Sequence, residues 1–555
     1  MGKIRIRWFI AVIAAVITVA GVFVYVQVNG GELAREFTGS DEIGREAPGE
    51  SGEEAEAEEA EREAGEAEAV ADPSAVGSGP EAFTVAGHSV FIDTRTLASK
   101  PTKRDEPRAE AELRDNVRHL GPAVPVQTAS TALAAPSPLV NVVGLDFNTW
   151  GDGHPPDTNG VIGPNHFVET VNTSIGIFSK TTGALVSAFT YNSFFANSGT
   201  AECDSNNGGD PTTVYDVPSG KWVIADFAWI NFNTGPYYEC IAVSSGSDPV
   251  ASTWTFYSVP AGDGRFPDYP KFGSGPDAVF FTTNNFQLPN TYTGAGVYAL
   301  RRSTLGTPTL QVQHVTTSSS FFSLLPANLV DANPPAGPEY VTSIWSGRLR
   351  VWRFSVNWTT PSATTFTSIA NIAVSYSSQG SIPTPGESVD SLSPRAMNKA
   401  QQRNGSLWLT QTVRTQNHAA VRWYEVINLT GTPSIRQQST FSPSNLHRWM
   451  PSLAVDKQGN MAIGYNVGSR TLNPAIRYAG RLSTDPLNTL GQSETSLIEG
   501  TGAPSSGNFN RWGDYSEMSV DPVDGCTFWF TGEYYATTGA NWQTRIGSFK
   551  FPGCF

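Results

Sequence analysis

The chain has 555 residues, with 53 glycines, 38 prolines, 11% aromatic and only 16% charged residues. That mix excludes a fold of long, charge-studded surface helices and fits many short strands joined by tight turns. The net charge of −15 is local, since Asp41 to Glu68 holds 13 acidic and 2 basic residues; the near-neutral remainder excludes a basic nucleic-acid footprint.

The first element is apolar. Lys3, Arg5 and Arg7 precede an uncharged stretch from Trp8 to Val28, long enough to cross a hydrocarbon core as a helix of roughly 20 residues. Thr18-Val19-Ala20 is a poor cleavage site. Residues 1–30 therefore read as a cytoplasmic stub and a retained signal anchor at the cell membrane, with the bulk of the chain extracellular. Secretion after cleavage is the alternative. Next comes "GESGEEAEAEEAEREAGEAEAV", whose glutamates repel one another at helical spacing. Residues 31–137 read as a disordered, acidic, Pro/Ala-rich stalk. Within it "FTVAGHSVFIDTRTL" (Phe83 to Leu97) could form a lone hairpin.

From about residue 138 the texture changes to strand-turn-strand. Seven similar units begin "NGVIGPNHFVETVN" (Asn159), "PTTVYDVPSGKWVIADF" (Pro211), "YPKFGSGPDAVFFTTNNF" (Tyr269), "NLVDANPPAGPEYVTSIW" (Asn328), "RAMNKAQQRNGSLWLTQTV" (Arg395), "RWMPSLAVDKQGNMAIGY" (Arg448) and "RWGDYSEMSVDPVDGCTFWF" (Arg511). Each is a short strand, a Gly/Pro/Asn/Asp turn and a second strand with apolar alternation. Two further strands follow, as "YYECIAVSS" and "TWTFYSVP" do in the second unit. Four antiparallel strands, repeated radially, predict an all-β fold, a seven-bladed β-propeller over 138–555, with six blades as the alternative.

The seventh unit ends at Phe555 one strand short, and "LVNVVGLDF" (Leu139 to Phe147) is spare. It is expected to complete the last blade and lock the ring. Cys526 and Cys554 flank two strands that fold back on each other, so they face in antiparallel register. Cys203 and Cys240 tie the loop leading into the second blade to that blade's third strand. With no CxxC and no HExxH, two disulfides in an exported protein are the reading.

The turns "SGSDPVASTW" (Ser245 to Trp254) and "STDPLNTL" (Ser483 to Leu490) resemble degenerate Asp-box turns of the sialidase-like, BNR-repeat propellers. The region from 140 to 555 also resembles a group of exported bacterial proteins of undefined activity, through "PPDTNG" (Pro155), "DYPK" (Asp268), "RWYE" (Arg422) and the segment from Arg511. The resemblance implies a ligand site at the channel mouth, where the innermost strands begin. Candidate ligand-binding residues there are Arg395, Arg448, Arg511, Asp157, Asp210 and Tyr269. The three arginines resemble a carboxylate clamp, because guanidinium forks match carboxylates bidentately. Asp268, Asp514, Glu533 and Tyr515 are the catalytic candidates for glycoside hydrolysis, with Glu425 a further carboxylate. The alternative reading of the same repeats is inter-blade salt bridging and stacking.

"CDSNNGGDP" resembles a calcium loop, with Asp204, Asn206 and Asp210 as oxygen ligands, or an ordinary polar turn. His154, His166, His418 and His447 lack ligand spacing. Asn172, Asn357, Asn404 and Asn428 lie in N-x-S/T sequons. Two functions are expected as alternatives: a membrane-anchored, sialidase-like propeller that binds glycan or a surface protein and hydrolyses glycosides if it is an enzyme, or a non-catalytic adhesion or assembly propeller.

Overall fold

The computed structural model describes residues 76–99, 115, 118–131, 133–196, 198–204, 207–505 and 511–555. The anchor and the acidic tract expected in residues 1–68 lie outside the described residues. Among those described, no helix is long and apolar enough to cross a membrane.

The described residues are nearly all β. The first unit is a four-stranded antiparallel sheet in the order Asn159–Ile162, His166–Val171, Ser174–Ser179, Leu185–Thr190. The second unit repeats the plan with Thr212–Asp216, Lys221–Trp229, Tyr237–Ser244 and Ala251–Pro260, and the third with Phe266–Ser274, Ala278–Gln287, Thr291–Arg301 and Thr309–Thr317. The fourth and fifth units form one larger sheet because their innermost strands, Leu325–Leu329 and Ala400–Arg403, pair in parallel. The sixth runs from His447–Val455 out to Gln492–Ile498, and the seventh from Glu517–Val520 to Gln543–Lys550. Each innermost strand packs beside that of the next unit, and Glu517–Val520 packs against Asn159–Ile162. The sheets therefore close on themselves in a propeller-like ring.

Alternation explains why the units stack. In Lys221–Trp229, Trp222 and Ile224 face the first unit, packing with Val168, Ile175 and Ile177. Val223 and Ala225 face the third, packing with Phe281 and Tyr298. Both faces of the sheet are apolar, so one unit cannot bury itself, and each buried Val, Leu or Ile is worth about 1.5–3 kcal/mol. The seam between the seventh and first units is filled by Phe167, Phe178, Leu145, Trp529 and Ile546.

The spare strand lies where counting places it: Val140–Asp146 pairs antiparallel with Gln543–Lys550 as the outer strand of the seventh unit. Both disulfides are formed, Cys203–Cys240 and Cys526–Cys554, which points to an oxidising compartment.

The stalk expectation is corrected over its described C-terminal part. Val76–Ala86 is a fifth strand on the third unit, and His88–Asp93 a fifth strand on the second. Phe83 to Leu97 is thus no hairpin, because its two strands join different sheets. Val126–Gln127 runs parallel to Thr440 and Phe441 of the fifth unit, and Ala134 bridges to Ser493 of the sixth. An outer strand with unpaired N–H and C=O groups is a liability, and this leading segment covers several of them in turn.

Candidate functional site

The site begins with backbone conformation. Asp157, Asp210, Tyr269, Ser323, Leu392 and Met450 all have positive φ, between 46° and 55°. Each lies ahead of or within the innermost strand of its unit, at the end of the ring where those strands begin. A non-glycine residue held there costs on the order of 1–3 kcal/mol and persists only when its surroundings impose it. At Asp210, Tyr269, Ser323 and Met450 the preceding unit does so through a side-chain oxygen. Asn172 Oδ1 accepts the Asp210 N–H at 2.9 Å, Asp210 Oδ2 that of Tyr269 at 3.0 Å, and Asn284 Oδ1 that of Ser323 at 2.9 Å. Thr412 Oγ1 accepts the Met450 N–H at 3.2 Å, and Asp157 Oδ1 accepts that of Asp514 at 2.7 Å, across the closing seam.

On this rim the chain assembles a charged and aromatic cluster. The Tyr269 and Tyr515 rings stack with centroids 5.3 Å apart. Lys271 Nζ lies 2.7 Å from the Tyr269 centroid and 3.8 Å from that of Tyr515, an arrangement in which ring faces attract a cation. Burial holds the Lys271 ammonium well below the usual lysine range, against the pull of Asp210 and Asp514. The Tyr515 hydroxyl donates to Pro270 O at 3.0 Å, linking the seventh unit to the third. The Arg395 guanidinium lies 4.9 Å from the Tyr269 ring centroid and 5.1 Å from that of Phe322. Arg511 binds Asp390 at 2.8 Å and Asp514 at 2.5 Å.

Glu533 joins this group from beneath. Its Oε2 accepts the Gly513 N–H at 2.8 Å, and it is fully buried. Burial raises its carboxyl to about 8, although the Gly513 N–H works the other way. It therefore stays protonated at neutral pH, beside an Asp514 that is ion-paired to Arg511. A protonated carboxyl and a charged one in adjacent settings are the raw material of acid–base chemistry.

Of the residues singled out in the sequence, Asp157, Asp210, Asp268, Tyr269, Arg395, Arg511, Asp514, Tyr515 and Glu533 gather at this end. Asp268 lies close enough to Lys271 to act on its charge. Arg448 does not join them. It is fully buried and paired with Glu494 at 2.8 and 2.9 Å, so no three-arginine clamp forms. Glu425 is likewise elsewhere, bound to Ser406 and Arg436 in the fifth unit. Asp204 accepts from Ser198, whereas Asp210 is committed to Tyr269, and Asn206 lies outside the described residues. No group of three or more His, Cys, Asp or Glu among the described residues is arranged to hold a metal. His418 meets Ser442 and His447 accepts the Ala419 N–H, both in local contacts.

Three participants were not singled out for the site. Lys271 sits inside the quoted "DYPK" yet reads there as a strand residue. Asn172 read only as a sequon, and Asp390, the partner of Arg511 and Trp512, carries no local signal. The Asp-box-like turns lie between third and fourth strands as expected; Asp248 accepts the Val250 N–H there, and Trp254 is core.

No family model and no curated protein matches the chain. Among solved structures it is similar to an exo-β-1,3-galactanase from Clostridium thermocellum, at 12% identity over 65% of this chain and 69% of that one, TM-score 0.30. It is also similar to the Nup133 β-propeller domain of Vanderwaltozyma polyspora, at 11% identity over 75% and 100%, TM-score 0.36. A third is an α-L-arabinofuranosidase from Podospora anserina in complex with cellotriose, at 9% identity over 77% and 98%, TM-score 0.27. The fold is read from the strand pairing of this chain.

Proposed function

We propose that the chain is a seven-bladed β-propeller, displayed outside the cell by its N-terminal apolar stretch, that binds carbohydrate on the rim around Tyr269 and Tyr515. The carrying observation is the convergence there of stacked tyrosines with Asp210, Asp514, Lys271 and Arg395. These side chains are buried and the tyrosine faces are taken by each other, Lys271 and Arg395, so a sugar would meet their polar edges, where fixed carboxylates and the Arg395 guanidinium suit its hydroxyls. If the rim is also catalytic, glycoside hydrolysis is the reaction it fits, with protonated Glu533 as acid and Asp514 as the charged partner.

A second reading is a non-catalytic adhesion propeller. The ion pairs of Arg448 with Glu494 and of Arg511 with Asp390 and Asp514 favour it, because they consume the cations a carboxylate clamp needs. A glycan panel separates the two. The exported domain should retain at least one glycan, and Tyr515→Phe or Asp514→Asn should release it, while sugar appearing in solution would show hydrolysis. No retention on any glycan, with a protein partner recovered instead, would overturn the carbohydrate reading.

A further inference from the structure

The ring has one seam that the order of the chain does not provide, between the first unit and the last. We propose that this seam is a pH-sensitive latch, held shut by a protonated Glu169 and loosened when that carboxyl loses its proton.

Glu169 belongs to the first unit, yet among the described residues the partners of its carboxyl belong to the last. Oε2 accepts the N–H of Leu145 at 2.8 Å, and Leu145 sits on the closing strand Val140–Asp146. Oε1 accepts from the Thr531 hydroxyl at 2.5 Å, within the ordinary O–H···O range. The Thr544 hydroxyl lies beside them and donates to Leu145 O at 2.9 Å. A Cβ at Gly144 would come within 2.4 Å of Oε2, so the closing strand passes directly over the acid. Glu169 is wholly buried, and its partners among the described residues are neutral.

The other ionisable groups of the same seam stand apart from it. Deeper in, Lys399 of the fifth unit pairs with Glu517 of the seventh, whose Oε2 accepts the Gly160 N–H at 3.3 Å. Lys180 pairs with Asp521 at 2.6 Å. Asp157 takes the Asp514 N–H at the rim, with Glu533 behind it. None supplies Glu169 with a counter-charge. An ion at that point would be desolvated without compensation.

Burial raises the Glu169 carboxyl from 4.5 to about 7, against the Thr531 hydroxyl, the Leu145 N–H and the Thr544 hydroxyl, which favour its charged form. A carboxyl raised on folding contributes stability that is fully present below its unfolded value. That stability is lost as pH rises through the folded one. The latch is thus firm in acid and slack above neutrality.

Hydrogen exchange on the intact, disulfide-bonded chain, corrected for intrinsic rates between about pH 5 and pH 9, tests this. Val142 to Leu145 and their partners Arg545 and Ile546 should lose about tenfold or more of their protection over that window. The fourth unit's Thr365–Ala373, remote from the seam, should lose less. Glu169→Gln, which keeps the shape of the neutral acid, should make the seam profile shallower, leaving the part that Glu517 and Glu533 contribute. Seam amides that hold steady in the wild type, a remote strand that falls in step, or a Gln variant that still follows the wild-type curve would each overturn the proposal. Should Glu169→Gln fail to fold, the wild-type comparison of the two strands decides.

Discussion

Asn172 donates from Nδ2 to the Asp157 carboxylate at 2.6 Å and to Pro155 O at 2.7 Å, while its Oδ1 accepts the Asp210 N–H at 2.9 Å. One buried amide thus fixes the rim residues of two adjacent units, with its bonds to Asp157 and Pro155 inside the first unit and its bond to Asp210 crossing to the second. Asp157 passes the restraint on to Asp514, and Asp210 passes it on to Tyr269. The rim is therefore a linked arc rather than a set of independent side chains.

Removing the amide should be felt on both sides. Asn172→Ala removes buried hydrogen bonds to the Asp210 N–H and to the Asp157 carboxylate, each worth roughly 1–3 kcal/mol. A loss of about 2–4 kcal/mol in urea unfolding is expected. The same burial predicts that Asn172 escapes glycosylation in a host that modifies sequons. Asn357, Asn404 and Asn428 are exposed and open to it. Mass spectrometry of the glycosylated chain reads this directly.

The arginines should separate by role. Arg448→Met leaves the half-buried Glu494 carboxylate with the Tyr465 hydroxyl and with Arg477 at 3.8 Å, and should cost up to about 3 kcal/mol, the low end for a broken buried pair. Ligand retention by the protein that remains folded should be unchanged. Arg395→Met, at the Tyr269 ring, should weaken retention with a smaller stability loss. Equal effects of the two substitutions on binding would remove the distinction.

Where the chain can be trimmed also follows from the strands. A fragment starting at residue 138 keeps the closing strand but loses Val76–Ala86, His88–Asp93 and Val126–Gln127. It bares the edges at Thr309–Thr317 and Ala251–Pro260, which invite intermolecular pairing. It should aggregate faster on warming than a fragment starting at residue 76. Light scattering during a thermal ramp is the measurement.

These differences mark what was legible in the sequence. The repeating units were legible because alternation and turn residues act within a dozen positions. The closing strand was legible by counting, since a ring leaves one strand over. "VGSGPEAFTVA" (Val76 to Ala86) was not, because its Gly, Pro and Glu give no strand pattern and only the waiting edge of Thr309–Thr317 makes it one. The same holds at the site. That chemistry gathers where innermost strands start was readable, whereas the Arg448–Glu494 pair and the Asp390 partner of Arg511 depend on contacts across units.

Glu533 gives a prediction with a defined sign. Its carboxyl is raised on folding from 4.5 to about 8 by burial. The stability it contributes is fully present below about 4.5 and is lost as pH rises through about 8. The slope is at most about 1.4 kcal/mol per pH unit. Glu533→Gln cannot titrate, so the difference in unfolding free energy between wild type and variant should shift in the variant's favour by up to that amount per unit across the window. A variant whose pH profile runs parallel to the wild type would show that Glu533 is not held protonated. If the rim hydrolyses glycosides, the same substitution removes the proton the leaving oxygen needs. Turnover should then fall by about 10²–10⁴-fold while glycan retention persists, because the substituted amide still accepts the Gly513 N–H but has no acidic proton to give.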